Sequence, residues 1–135
     1  METIRCFEDL DCWKACTDFR RYVRKFIRKF PAEEKYALIS QMRRASRSIT
    51  NNIAEGYGRF QFKENAQFCR ESRGSLYELK DDFIIALDEE YISKAEFDEG
   101  MIKFEKAVSI INGYINYLIK ADKTKNLPQQ LTNNP

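Results

Sequence analysis

The sequence predicts an all-α protein: an antiparallel up-and-down four-helix bundle, one domain, assembled as a homo-oligomer. Three observations carry this prediction. Four segments space their apolar residues by fours and threes, the period of a helical stripe. Only five Gly and three Pro interrupt 135 residues, in keeping with long helices. The connections around Pro31 and residues 89–92 are short, which suits helices that pack beside their predecessors in the opposite sense.

The first helix is expected over residues 9–29, with Asp9 as N-cap and Pro31 closing it. Its seam is Cys12, Cys16, Phe19, Val23, Phe26 and Phe30. The second, over 34–57, buries Leu38, Met42, Ala45 and Ile49, and its seam then continues onto Asn52 and Gly56. The third, over 63–87, buries Cys69, Ser72, Leu76, Leu79, Phe83 and Ala86. The fourth starts after Ser93, which with Glu96 forms a capping box. Its seam is Phe97, Met101, Phe104, Val108, Ile111, Ile115 and Leu118. The bundle is placed in residues 1–122 and a flexible polar tail in 123–135.

The second helix breaks its own pattern in an informative way. A buried Asn needs partners or costs about 1–3 kcal/mol, and Gly inside a helix gives up about 1 kcal/mol against Ala. Asn52 and Gly56 on one face therefore predict a close helix crossing with a fixed polar contact. Glu55, Gly58, Ser75 and Glu78 are expected to join that clamp between helices two and three. The glycines Gly56 and Gly58 are also read as the C-cap of helix two, which excludes a phosphate loop, since such a loop opens a helix.

The block Ser48-Ile49-Thr50-Asn51-Asn52-Ile53-Ala54-Glu55-Gly56-Tyr57-Gly58-Arg59 resembles the signature of the bacterial "four-helix bundle protein" family. That family is also called the 23S rRNA intervening-sequence protein family, because some members are encoded inside insertions in 23S rRNA genes. Phe7-Glu8-Asp9-Leu10-Asp11-Cys12-Trp13-Lys14-Ala15 is similar to its opening block. Arg73-Gly74-Ser75-Leu76-Tyr77-Glu78-Leu79 is similar to its element on the third helix. The resemblance runs from about Phe7 to Leu118. It implies a small antiparallel bundle assembling as a ring, often a homopentamer, with nucleic-acid binding as a proposed activity.

Composition narrows the function further. Histidine is absent, removing the commonest general base and metal ligand. Ser48 and Ser75 have no candidate base, and no Cys-x-x-Cys pair occurs among the four cysteines. Core packing is the favoured reading of Cys12 and Cys16. No catalytic residue, metal, cofactor or small-molecule substrate is therefore expected, and the chain is read as a non-enzyme. The N-terminus lacks the apolar core of a signal peptide and no run is long enough to span a membrane, so a cytoplasmic location is expected.

Charge is distributed unevenly. Residues 1–59 hold 13 Lys/Arg against eight Asp/Glu, and residues 60–122 the reverse, eight against 13. Arg20, Arg21, Arg24, Lys25, Arg28 and Lys29 on helix one, with Arg43, Arg44 and Arg47 on helix two, are expected to form a positive face. Such a face would bind RNA or DNA mainly through phosphates. The competing readings are charges that pair with the acidic half, and a docking face for a protein partner in an adaptor module. A second stripe on helix four, Ala107, Ile110, Tyr114, Tyr117 and Ala121, either widens the core or marks an oligomer interface, for which Ile110, Tyr114 and Tyr117 are the candidates.

Overall fold

The computed structural model describes residues 3–125, which are all helix or connection with no strand among them. Four helices follow in order: α1 (Asp11–Ile27), α2 (Leu38–Gly58), α3 (Phe62–Asp88) and α4 (Lys94–Lys125), with single 3-10 turns at Phe7–Asp9 and Ala32–Glu34. Each helix packs against two others, α1 and α3 against both α2 and α4, so the four enclose one core. No described helix is long and apolar enough to cross a membrane.

The seams meet in that core. Cys12, Cys16, Phe19, Val23, Phe26 and Phe30 are all buried, as are the six predicted seam residues of α3. At the centre, the ring of Phe19 stacks on Phe83 (centroids 5.7 Å apart) and meets Phe104 edge-on at 6.4 Å. Tyr22 and Phe26 pack on the same Phe83 ring, so three helices share one aromatic cluster. On α4 the stripe sits differently from expectation. Phe97 and Met101 are only half-buried, whereas Gly100 is buried beneath Phe83 and Tyr22. A Cβ on Gly100 would lie 2.7 Å from the Phe83 ring, so the bulk of that ring selects glycine there. Ala107 is fully buried, which assigns it to the core.

The helix ends correct several expectations. Asp9 does not cap α1. Its carboxylate accepts the backbone N–H of Arg5 (2.9 Å) and Cys6 (3.3 Å) in the preceding turn, and those hydrogen bonds, Arg5 foremost, hold its pKa below the usual carboxylate range. Glu34 ends the 3-10 turn and residues 35–37 form turns, so α2 begins at Leu38. At its other end α2 runs through both glycines, neither of which has a positive φ. The left-handed residue is Phe60, at φ 56°. Ser93 and Glu96 do exchange the two hydrogen bonds of a capping box, at 2.8 and 3.1 Å. α4 continues through Lys123, Thr124 and Lys125, where the sequence pattern places the start of the tail; the rest of that tail lies outside the described residues.

One buried acid is poorly compensated. Asp82 on α3 is only 3% exposed, and its Oδ2 has no hydrogen-bond partner among the described residues. Burial, with the charges of Glu78 and Asp81 nearby, pushes its pKa up to about 7, against a smaller opposing pull from Arg44. The fold thus favours the protonated form, while the unfolded chain ionises at the ordinary, lower pKa. This group's contribution to stability is greatest in acid and falls as pH rises from about 4 through about 7. Asp82→Asn should raise the melting temperature near pH 8 and flatten its dependence between about pH 5 and 8. Thermal melts of both proteins across that range check this, and an equal slope in the two would contradict it.

Candidate nucleic-acid interface

Helical spacing places Arg20, Arg24 and Arg28 one turn apart along α1, each step about 6 Å along the axis. Arg43 and Arg47 stand one turn apart on α2. These five, with Arg21, line a groove of about 490 Å³ between α1 and α2, and no acidic residue among the described ones borders it. Ile27 and Ser46, both buried, contribute the remaining lining. Ser46 bends its hydroxyl back to the carbonyl of Arg43 at 3.0 Å, leaving the groove to the guanidinium groups.

Arg20 is held most firmly: its Nη1 donates to Thr50 Oγ1 at 2.8 Å across the α1–α2 contact. Partial burial, then the positive charges of Arg21 and Arg24, press its pKa below the usual arginine value. A bound anion would relieve that mutual repulsion. Arg21, Arg24, Arg28, Arg43 and Arg47 make no ion pair among the described residues, so the groove carries uncompensated positive charge.

The other three predicted residues differ. Lys29 bonds Glu96 of α4 at 3.1 Å, and Arg44 reaches Glu78 of α3 at 3.4 Å; these are exposed pairs, worth little to stability, yet they partly neutralise both cations. Lys25 lines a separate hollow toward α4, with Glu96 and Glu99 on its rim. The structure therefore gathers six of the nine residues into one groove and sets Lys25, Lys29 and Arg44 at its margins.

The predicted clamp is assembled in part. Asn52 Nδ2 donates to the Ser48 carbonyl (3.0 Å) and to Ser48 Oγ (2.9 Å), and Ser48 Oγ joins Ser75 Oγ of α3 at 2.9 Å. Ser72 adds a bond to the Ile49 carbonyl at 2.6 Å. Asn52 thus reaches Ser75 through Ser48, a relay that the sequence pattern does not display. Gly56 allows the closest approach: a Cβ there would stand 2.8 Å from Asn65 Oδ1 and 2.9 Å from Phe68 Cβ. Glu55 is not part of the clamp, since it pairs with Arg59 one turn on at 2.9 Å. Gly58 is exposed and a Cβ there would meet nothing within 4 Å, and among the described residues Glu78 links the helices through Arg44.

The far end of α2 carries a second surface. Ile110, Tyr114 and Tyr117 line an apolar cleft of about 650 Å³, together with Ile4, Phe60 and Phe62. Phe60 is 84% exposed and Tyr117 60%. Periodicity singles out neither Phe60 nor Phe62, because the first lies in the connection after α2 and the second only opens α3. Asn65 Nδ2 donates to the Tyr114 hydroxyl at 3.1 Å in the cleft wall, while burial pushes that phenol up to about 12.

No group of three His, Cys, Asp or Glu side chains is arranged to hold a metal ion among the described residues. Cys12, Cys16 and Cys69 are free and buried, and desolvation raises each thiol's pKa, keeping it protonated and unreactive. Cys6 is free and exposed.

No curated protein matches the chain. A family model described as 23S rRNA-intervening sequence protein matches residues 8–113, which span α1, α2, α3 and more than half of α4 and so include the arginine groove and the clamp. The chain belongs to the 23S rRNA-intervening sequence protein family.

Proposed function

We propose that this chain is a non-enzymatic, cytoplasmic bundle protein that binds RNA or another nucleic acid through the α1–α2 arginine groove. The observation that carries the reading is the groove itself: six guanidinium groups with, among the described residues, no acidic side chain on its rim and no ion pair to any of the six. Guanidinium forks match phosphate oxygens in pairs, and a one-turn repeat of arginines suits a polyanion better than a single carboxylate. Gel-shift titration with structured RNA at low and at physiological salt tests it. Retardation that weakens steeply with salt is expected. No shift at low salt removes the reading.

The bundle is proposed to be antiparallel: partners ascend along α2 and descend along α3, from Arg44–Glu78 through Ser48–Ser75 to Gly56–Asn65. Assembly as a homo-oligomer, a pentamer by the family resemblance, is proposed to use the apolar cleft with Ile110, Tyr114 and Tyr117. Exposed apolar side chains around a concave surface favour a protein neighbour there. The second functional reading is an adaptor for a protein partner; the sequence pattern would dock that partner on the basic face, and the exposed apolar side chains here favour this cleft instead. Light scattering at micromolar concentration separates a self-associating cleft from one that awaits another protein.

A further inference from the structure

Beside the arginine groove lies a second hollow, of about 700 Å³, whose lining differs in kind. Arg43 and Arg47 border both, so they form a ridge between the two. On the far side of that ridge stand Tyr36, Asn51, Asn52 and Ser40, with no acidic residue among the described ones. Tyr36, in the turn just before α2, is 87% exposed, and Lys35 Nζ lies 5.3 Å from its ring centroid. A tyrosine turned out to water beside a cation gains nothing from the core. Asn51 is exposed, and Asn52 spends its side-chain N–H groups on Ser48 while its Oδ1 makes no hydrogen bond among the described residues.

Resting on the nucleic-acid reading above, we infer that this hollow holds an unpaired base, stacked on Tyr36, while its flanking phosphates lie on the arginine ridge and groove. The ligand class is a single-stranded nucleic acid or an unpaired loop. A duplex keeps its bases stacked on one another and offers no free π-face to a side chain. An unpaired strand offers what the hollow presents along its length: a ring face for Tyr36, phosphates for Arg43 and Arg47, and, about 20 Å along α2 from Tyr36, the polar edge of a following base for Asn51 and Asn52. The surface therefore does more than attract charge, because its stacking platform discriminates by strand state.

The test is fluorescence anisotropy at low salt with a labelled RNA strand of about 12 nucleotides, the DNA strand of the same sequence, and the RNA duplex. The wild-type chain should bind the single strands more tightly than the duplex, and equal binding of the RNA and DNA strands would identify base and phosphate, without the ribose hydroxyl, as what is recognised. Tyr36→Ala should weaken single-strand binding by roughly tenfold and leave duplex binding nearly unchanged. Tyr36→Trp should restore it and show indole fluorescence quenched by the strand. Tyr36 is exposed, so these variants should keep the wild-type circular dichroism. If duplex and single strand bind alike and Tyr36→Ala changes neither, or lowers both equally, the stacking inference is overturned while the groove reading stands. If no probe binds the wild type, the groove reading itself falls, and this inference with it.

Discussion

Exchanging Arg24 and Arg43 together for glutamate should weaken RNA binding by roughly two to three orders of magnitude at low salt. The two side chains come from different helices and face one groove, so the double change converts two of its six cations into anions and leaves Arg20 anchored on Thr50. Both are exposed, which predicts a helical content and melting temperature close to those of the original chain. Arg24→Ala or Arg43→Ala alone should lower affinity more modestly and make the slope of log K against log salt shallower, by about one for each phosphate no longer neutralised. Lys29→Ala makes the informative control. Its ammonium already pairs with Glu96 and lies off the groove, so its removal should matter least. Titrations of all four variants at three salt concentrations would check the ranking. A reversal variant that binds as tightly as the original would show that nucleic acid, if bound, lies elsewhere.

Gly56→Val should damage this fold severely, lowering stability by roughly 3 kcal/mol and the melting temperature by about 10 °C. The first added carbon alone would meet Asn65 Oδ1 at 2.8 Å, Phe68 Cβ at 2.9 Å and the Asn65 carbonyl at 3.1 Å. Two of these three atoms move only if α3 moves, because one is backbone and one a Cβ. The gain in helix propensity from removing a glycine is under about 1 kcal/mol and does not offset it. Gly58→Ala, two residues on, meets nothing within 4 Å and should be neutral or slightly stabilising. Thermal or urea unfolding of the pair gives a direct comparison. Equal stability of the two variants would mean that α2 and α3 are not pressed together at Gly56.

Periodicity locates the helices well because it reports which face is dry. The stripe from Cys12 to Phe30 and that from Cys69 to Ala86 are buried throughout. It misplaces the first turn of α4's seam because glycine carries no hydropathy signal. Gly100 is buried through the size of Phe83, a residue on another helix. Asp82 is masked by its own chemistry: beside Glu78 and Asp81 it resembles part of a solvated face, although it stands three residues after Leu79 and four before Ala86 and is buried with them. The clamp is half legible. Asn52 and Gly56 stand out as polar and empty positions on an apolar stripe, but the serine relay depends on side-chain rotamers. Arginine spacing on α1 indicates one charged face, whereas its division into a groove and a margin toward α4 requires knowing where Glu96 and Glu78 fall. Tyr36 carries no periodic signal at all, since it lies outside every helix.

The groove and the apolar cleft are set apart along the bundle. Cys12 borders the cleft and Arg24 the groove, and about twelve residues of α1 separate them, about 18 Å along the axis. Copies joined at the cleft would each keep an unobstructed cationic mouth, presenting several to one strand. Valency would then multiply a weak individual grip, so that a tether between neighbouring subunits, and not the strength of any single site, would govern how long the strand is retained.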